Sequence, residues 1–164
     1  MATEQDEAYM RRAITLAREG NRDPGGSPIG CVIVRDGRII GEGFNLTHRD
    51  HDPTAHGEVV AMRRAGAAIG SWELRGATLY STLQPCGMCS MASIWAKIGR
   101  IVYGAERHQV HRLYFEDRHL STEDYIRDAY RDDLVMEGGV LADDCASLYY
   151  GPHDDPPAEE QANL

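Results

Sequence analysis

Three side chains in two separate segments set the tightest condition on how this chain can fold. They are His56 in His56-Gly57-Glu58, and Cys86 and Cys89 in Pro85-Cys86-Gly87-Met88-Cys89. One imidazole and two thiols make a soft-to-borderline donor set, the kind that zinc prefers. A fold that uses the three together must bring both segments to one point and hold one zinc per chain. Three protein ligands leave a fourth tetrahedral position open for water, so the set reads as a place of chemistry rather than a structural knot. Glu58 can move protons there without ligating the metal. Each half alone is weak, because Cys-x-x-Cys also marks redox pairs and structural zinc. Both halves, in order and around a helix–strand–helix unit, reinforce each other.

The spacing says where the metal should sit. His56 and Glu58 would point about 200° apart on a regular helix, so both cannot face a metal on the helix flank. The expected position is off the helix N-terminus, where first-turn residues fan toward one point. Cys86 and Cys89, at i and i+3, share a face in the first turn of a second helix. Helix N-termini favour thiolates through their partial positive charge. Zinc lowers the pKa of its water toward ~7, and Glu58 can take the proton released, as a general base does.

Other assignments compete for some of these residues. Cys31 or Cys145 could close a four-ligand structural site, which would leave Glu58 without a role. His108, His111 and His119 lie in a polar stretch and read as solvated, as do His48 and His51. Trp95, two turns beyond Cys89, reads either as core or as a wall beside a bound molecule. Glu116 and Asp117 by themselves are surface charge.

Thr3 and Asp6 resemble a capping box, and Met10, Ala13, Ile14 and Ala17 follow at helical spacing up to Gly20. Residues 29–35 and 38–44 flank Asp36-Gly37, a strong hairpin signal, and are expected to pair antiparallel. Residues 45–53 form a polar loop, and Thr54 can cap a helix over 55–69. Residues 77–83 make a strand, Pro85 opens a helix whose buried face carries Met91, Ile94, Trp95 and Ile98, and 100–104 make another strand. Residues 105–132 are polar, with a helix expected over 122–130. A short strand at 134–137 and an amphipathic helix with Leu141, Cys145, Leu148 and Tyr149 follow. Strands alternating with helices after an opening hairpin predict a three-layer α/β/α fold on a mixed, mostly parallel five-stranded sheet.

At 164 residues one domain is expected, over 1–150, with an acidic and mobile tail over 151–164. The net charge is −9 and Lys97 is the sole lysine. That balance is a poor footprint for a polyanion and argues against a nucleic-acid partner. No apolar run approaches membrane-spanning length and residues 1–20 lack the order of a secretory signal, so a cytoplasmic protein without a membrane partner is expected. Cys31 and Cys145 fall at apolar positions and read as buried small hydrophobes, not as disulfide partners.

A histidine-x-glutamate followed by Pro-Cys-x-x-Cys is the signature of zinc deaminases. From its first helix to Tyr150 the chain resembles the cytidine/nucleobase deaminase family. The resemblance implies His56, Cys86 and Cys89 as zinc ligands and Glu58 as the carboxylate that carries protons from water to a ring nitrogen and the leaving amine. It further implies that Asn45 hydrogen-bonds the substrate ring, that the Ala55 amide helps, and that the chain is a homodimer. An excess of apolar residues over 94–103 points to the same oligomer.

Three branches compete. Asp52-Pro53-Thr54-Ala55-His56 and Gly138-Gly139-Val140-Leu141-Ala142 resemble tRNA adenosine deaminases, which usually carry alanine at Gly57 and a basic tail. His56-Gly57-Glu58 and Gly26-Ser27-Pro28-Ile29-Gly30 resemble fungal cytosine deaminases. Ala105-Glu106 with Phe115-Glu116-Asp117 resembles guanine deaminases, which implies Asp117 in base binding and proton transfer, with Glu116 beside it. The tail departs from theirs, since the last aromatics are Tyr149 and Tyr150. The expectation is therefore a hydrolase of purine metabolism that acts, with water as co-substrate, on a free amino-heterocycle of guanine-like class. The alternatives are a cytosine or triazine deaminase, a tRNA adenosine deaminase, and a zinc-stabilised binding module that has lost the chemistry.

Overall fold

Helix α1 (Glu4–Arg22) begins as the capping box predicts. The Thr3 amide donates to Asp6 Oδ2 at 2.8 Å and the Asp6 amide donates to Thr3 Oγ1 at 3.1 Å. Such a cap is worth about 1 kcal/mol. The helix runs through Gly20 to Arg22 instead of ending at the glycine. The structure is a computed structural model, and it describes residues 2–22, 27–115 and 120–157.

Strands β1 (Gly30–Arg35) and β2 (Arg38–Phe44) form the expected hairpin. Asp36 and Gly37 both have positive φ, 52° and 70°, which matches the twist of the flanking strands. After a one-turn helix α2 (Thr47–Asp50) inside the polar loop come α3 (Gly57–Ile69), β3 (Thr78–Leu83), α4 (Gly87–Trp95) and β4 (Arg100–Ala105). The chain closes with α5 (Thr122–Asp128), β5 (Val135–Glu137) and α6 (Ala142–Ala146). Between β4 and α5 lie two single 3₁₀ turns. His111 caps the second, accepting from the Leu113 amide at 3.2 Å, and is buried. That overturns its reading as a solvated histidine.

The sheet order is β2-β1-β3-β4-β5. β1 runs against both β2 and β3, while β3, β4 and β5 are parallel. Four of the five strands therefore point the same way, as expected for a mixed, mostly parallel sheet. α1 and α6 cover one face, where Met10, Ile14 and Cys145 meet Val32, Tyr80 and Val102. α3 and α4 cover the other, where Ala61 and Ala65 meet Ile33, Leu79 and Ile101. Two buried layers against one sheet give the three-layer architecture.

Two features place the site. Gly43 of β2 lies so close to α3 that a Cβ there would come within 2.7 Å of the Gly57 carbonyl oxygen. The bare strand lets the N-terminus of α3 rest on the end of β2. At the other end of the sheet, buried Asp6 accepts from Tyr80 Oη (2.7 Å) and Arg100 Nη1 (2.6 Å), and the Arg100 guanidinium also reaches Glu137. The Arg100 guanidinium holds the Asp6 carboxyl well below the usual carboxylate range. This network ties α1 to β3, β4 and β5.

Within the apolar stretch 94–103, Trp95 is exposed, while the apolar residues from Ile98 onward go into the core. Ile98, Ile101, Val102 and Tyr103 are core residues of this one chain. Outside that stretch Trp72, Met91 and Tyr130 are exposed as well. No described helix is long and apolar enough to cross a membrane. Of the tail, residues 151–157 are described; the Gly151 amide donates to Asp154 and Pro156 is buried.

Candidate metal centre

β2 ends one residue before Asn45, and the buried Asn45 side chain reaches the start of α3. Its Oδ1 accepts from the Gly57 amide at 2.6 Å. Beside it the Leu46 amide donates to the Ala55 carbonyl at 2.9 Å, so the strand end and the segment before α3 are stitched together. His56 then occupies the N-cap of α3 with extended backbone, φ −66° and ψ 153°. Cys86 occupies the N-cap of α4, also extended, at φ −69° and ψ 173°.

The cap positions overturn one expectation and explain it. Thr54 does not cap α3; its amide and hydroxyl both bond Asp52 Oδ1. His56 and Cys86 take the cap positions without making a side-chain cap bond. Ser, Thr, Asp or Asn there would stabilise each helix by about 1 kcal/mol. Both chain segments instead spend the position on a side chain aimed at the other.

His56 Nδ1 lies 3.7 Å from Cys86 Sγ and 3.7 Å from Cys89 Sγ. Zinc–sulfur and zinc–nitrogen bonds of ordinary length, at a tetrahedral angle, put sulfur and nitrogen roughly 3.6 Å apart. Both nitrogen–sulfur distances therefore match those of a tetrahedral zinc site. All their ligand atoms lie within 4.8 Å of one another, and among the described residues no fourth His, Cys, Asp or Glu joins them. Cys31 and Cys145 are fully buried free thiols outside the cluster, so a closed four-ligand site is not formed from the described residues. The set keeps an open position.

The electrostatics agree with a site built for a cation. The Cys86 thiol is lowered to about 4, first by the hydrogen bond from Cys89 and then by His56. Cys89 is pushed up by that same bond and by burial. Cys86 is thus the sulfur favoured as thiolate and Cys89 the one that holds its proton, which a divalent metal would displace. Glu58 is 3% exposed, and burial raises its carboxyl above the usual range, with the charge of Cys86 adding to the effect. Its Oε1 accepts from Ser81 Oγ at 3.2 Å, and its Oε2 lies 3.5 Å from Cys89 Sγ. Ser81 was not among the residues that the sequence pattern singled out. The signal was there, a lone hydroxyl facing an apolar layer of the central strand.

Other expected site residues fare differently. The Ala55 amide donates to the Asp52 carbonyl at 3.0 Å, so it is engaged within its own loop. Trp95 is six residues beyond Cys89, which on a helix means about 9 Å along the axis and roughly 240° around it. It is 67% exposed and lines an outer groove of about 540 Å³ with Met62, Trp72 and Ala92, away from the cluster. Glu116, Asp117 and His119 lie outside the described residues. His108 is exposed and paired with Glu106.

Comparison with known proteins agrees with this geometry. The zinc-binding region of the cytidine and deoxycytidylate deaminases matches residues 3–105. A guanine deaminase of Bacillus subtilis is 41% identical over 117 residues, covering 71% of this chain and 75% of that protein. A tRNA-specific adenosine deaminase of Haemophilus influenzae is 37% identical over 150 residues, covering 88% and 80% respectively. A structure from work on A-to-I editing by tRNA:A34 deaminases superposes with a TM-score of 0.73 at 31% identity, covering 86% of this chain and 98% of its own.

Proposed function

This chain belongs to the cytidine and deoxycytidylate deaminase family of zinc-dependent enzymes, and from that premise we propose that it hydrolyses the exocyclic amine of a free amino-heterocycle, with a guanine-like ring as the preferred class. His56, Cys86 and Cys89 would hold the zinc, which supplies an activated water at neutral pH. Glu58 would take a proton from that water and give it to the ring nitrogen, then take the proton of the added hydroxyl and give it to the departing amine, so that the carbonyl forms as ammonia leaves. One buried carboxylate with a raised pKa suits both halves of that task. Asn45 already spends Oδ1 on the Gly57 amide, so its Nδ2 is the donor left for a ring acceptor. Asp117, with Glu116 as its neighbour, would accept from the N–H groups on the other edge of the ring.

The observation that carries the choice of substrate is charge. The net charge is −9, and several arginines are already matched to carboxylates, among them Arg12 to Glu42, Arg63 to Asp52, Arg75 to Glu73 and Arg131 to Asp133. A phosphate backbone binds mainly through Lys and Arg that are free to release its counterions. A second reading, an adenosine in tRNA, is favoured by how much of the chain the tRNA-acting relatives cover. The likeness to the tRNA-specific relative spans 88% of the chain, against 71% for the guanine deaminase.

The two readings separate in one measurement. Ammonia release should give a higher kcat/KM on guanine, cytosine or an aminotriazine than on an anticodon stem-loop at physiological salt. Efficient turnover of the stem-loop with none of any free heterocycle would overturn the proposal in favour of tRNA.

We further propose a homodimer in which a second copy covers the exposed apolar surface around Trp72 and Trp95. Light scattering at micromolar concentration should report twice the 18.2 kDa chain mass. A monomer there, or a dimer unaffected by Trp95→Glu, would refute this placement.

A further inference from the structure

Glu58 stands between two neighbours of different kinds. On one side is Cys89, a member of the metal cluster; on the other is Ser81, in the middle of β3. The Ser81 side chain is fully buried, on the layer that also carries Leu79, Ile33 and Ile101. A hydroxyl in such surroundings is costly unless it is hydrogen-bonded. The partner it finds is the carboxylate of Glu58.

The backbone beneath Ser81 is rigid. It pairs with Cys31 of β1 on one side and with Tyr103 of β4 on the other, so its position is fixed by ladders on both edges. Glu58 itself comes from a different element, the first turn of α3, and has three side-chain torsions free to wander. One hydrogen bond from a fixed strand restricts them. It holds Oε1 toward the sheet and leaves Oε2 on the side of the cluster.

The choice of a hydroxyl is chemically apt. A carboxylate that gains and loses a proton in each cycle must be held in both forms. An arginine or amide N–H can only donate, and so would favour the ionised form alone. A serine hydroxyl donates to the carboxylate and can rotate to accept from the carboxylic acid.

We infer that Ser81 is a positioning residue for the reaction: its hydroxyl anchors the Glu58 carboxylate with Oε1 toward the sheet and Oε2 toward the cluster. The inference rests on Glu58 being the proton carrier, as proposed above. The Ser81 hydroxyl bonds Glu58, and Ser81 is not a member of the cluster, so it acts on turnover through Glu58 and not on binding.

The test compares Ser81→Ala, Ser81→Thr and Glu58→Gln with the unchanged protein, each purified with zinc. Ammonia release is followed in parallel from guanine and from an anticodon stem-loop, so that an error about substrate class does not hide the effect. Ser81→Ala should lower kcat by ~10-fold or more, since small misplacement of a catalytic group is costly. Its KM, zinc content and melting temperature should stay near those of the parent. Ser81→Thr, which returns the hydroxyl, should recover most of the rate. A Ser81→Ala protein with parental kcat, or one whose loss matches lost zinc or lost folding, overturns the inference. So does a folded, zinc-loaded Ser81→Thr that is no faster than Ser81→Ala. If threonine prevents folding, the alanine result alone decides. A Glu58→Gln protein that still turns over would instead remove the reading on which the inference rests.

Discussion

Glu58→Gln is expected to lose turnover by ~10²–10⁴-fold or more, while the protein stays folded and keeps its metal. The range is that of a single general acid–base group, and one carboxylate serving more than one transfer puts the loss at the upper end. The substitution is nearly isosteric. Ser81 Oγ can still donate to the amide oxygen of the new side chain, in the place where Glu58 Oε1 now accepts. The amide also removes a carboxylate whose charged form burial disfavours. Neither change should lower the melting temperature. His56, Cys86 and Cys89 form the candidate zinc site, and Glu58 is not among them, so metal content should remain one per chain. Stopped turnover with intact zinc is the pattern to look for by ammonia assay and elemental analysis. Turnover near that of the parent would show that another group moves the proton. Zinc lost along with activity would show that Glu58 supports the cluster instead.

Replacing both sulfurs, Cys86→Ser with Cys89→Ser, is expected to take zinc from one per chain to near zero and to abolish activity with it. Two thiolates are the larger part of the donor set, and serine hydroxyls are poor replacements because they stay protonated at neutral pH. Binding to such a site contributes directly to the folded state, since the unfolded chain does not present the ligands together. The double variant should therefore melt at a lower temperature than the zinc-loaded parent, and close to the parent stripped by chelator. Full zinc in the double variant would mean that the metal is held elsewhere. In the parent, zinc should be released as pH falls. Cys86 is already near thiolate, with its pKa lowered to about 4, whereas Cys89 keeps its proton unless a metal takes its place. Acid therefore competes with zinc for sulfur, and retention should improve as pH rises toward neutral.

The parts of this protein that were legible in its sequence are those in which the physics is local. Asp36 and Gly37 adopt left-handed backbone wherever a two-residue hairpin needs it, so β1 and β2 could be paired from residues 29–44 alone. Thr3 and Asp6 are three apart and bond each other across one turn. The zinc ligands were legible for a related reason: donor chemistry and i, i+3 spacing restrict the possibilities before any packing is known.

What packing decided is of another kind. Residues 94–103 looked like surplus apolar surface, yet β4 is a central strand, so Ile101 and Val102 are covered from both sides. Trp95 looked equally able to be core or wall, and the rotation of α4 turned it outward. Thr54 had the chemistry of a helix cap, but the converging metal segments placed His56 there. His111 lies in a polar stretch, yet the turn that it caps buries it. Ser81 meant little until α3 brought Glu58 onto it across the sheet. In each of these, the deciding partner lies on another element, so its distance depends on how helices seat against strands. A sequence carries the local rules of spacing and donor type. Only the assembled layers determine which face of an element meets another, and therefore which polar group is held and which apolar group is left exposed.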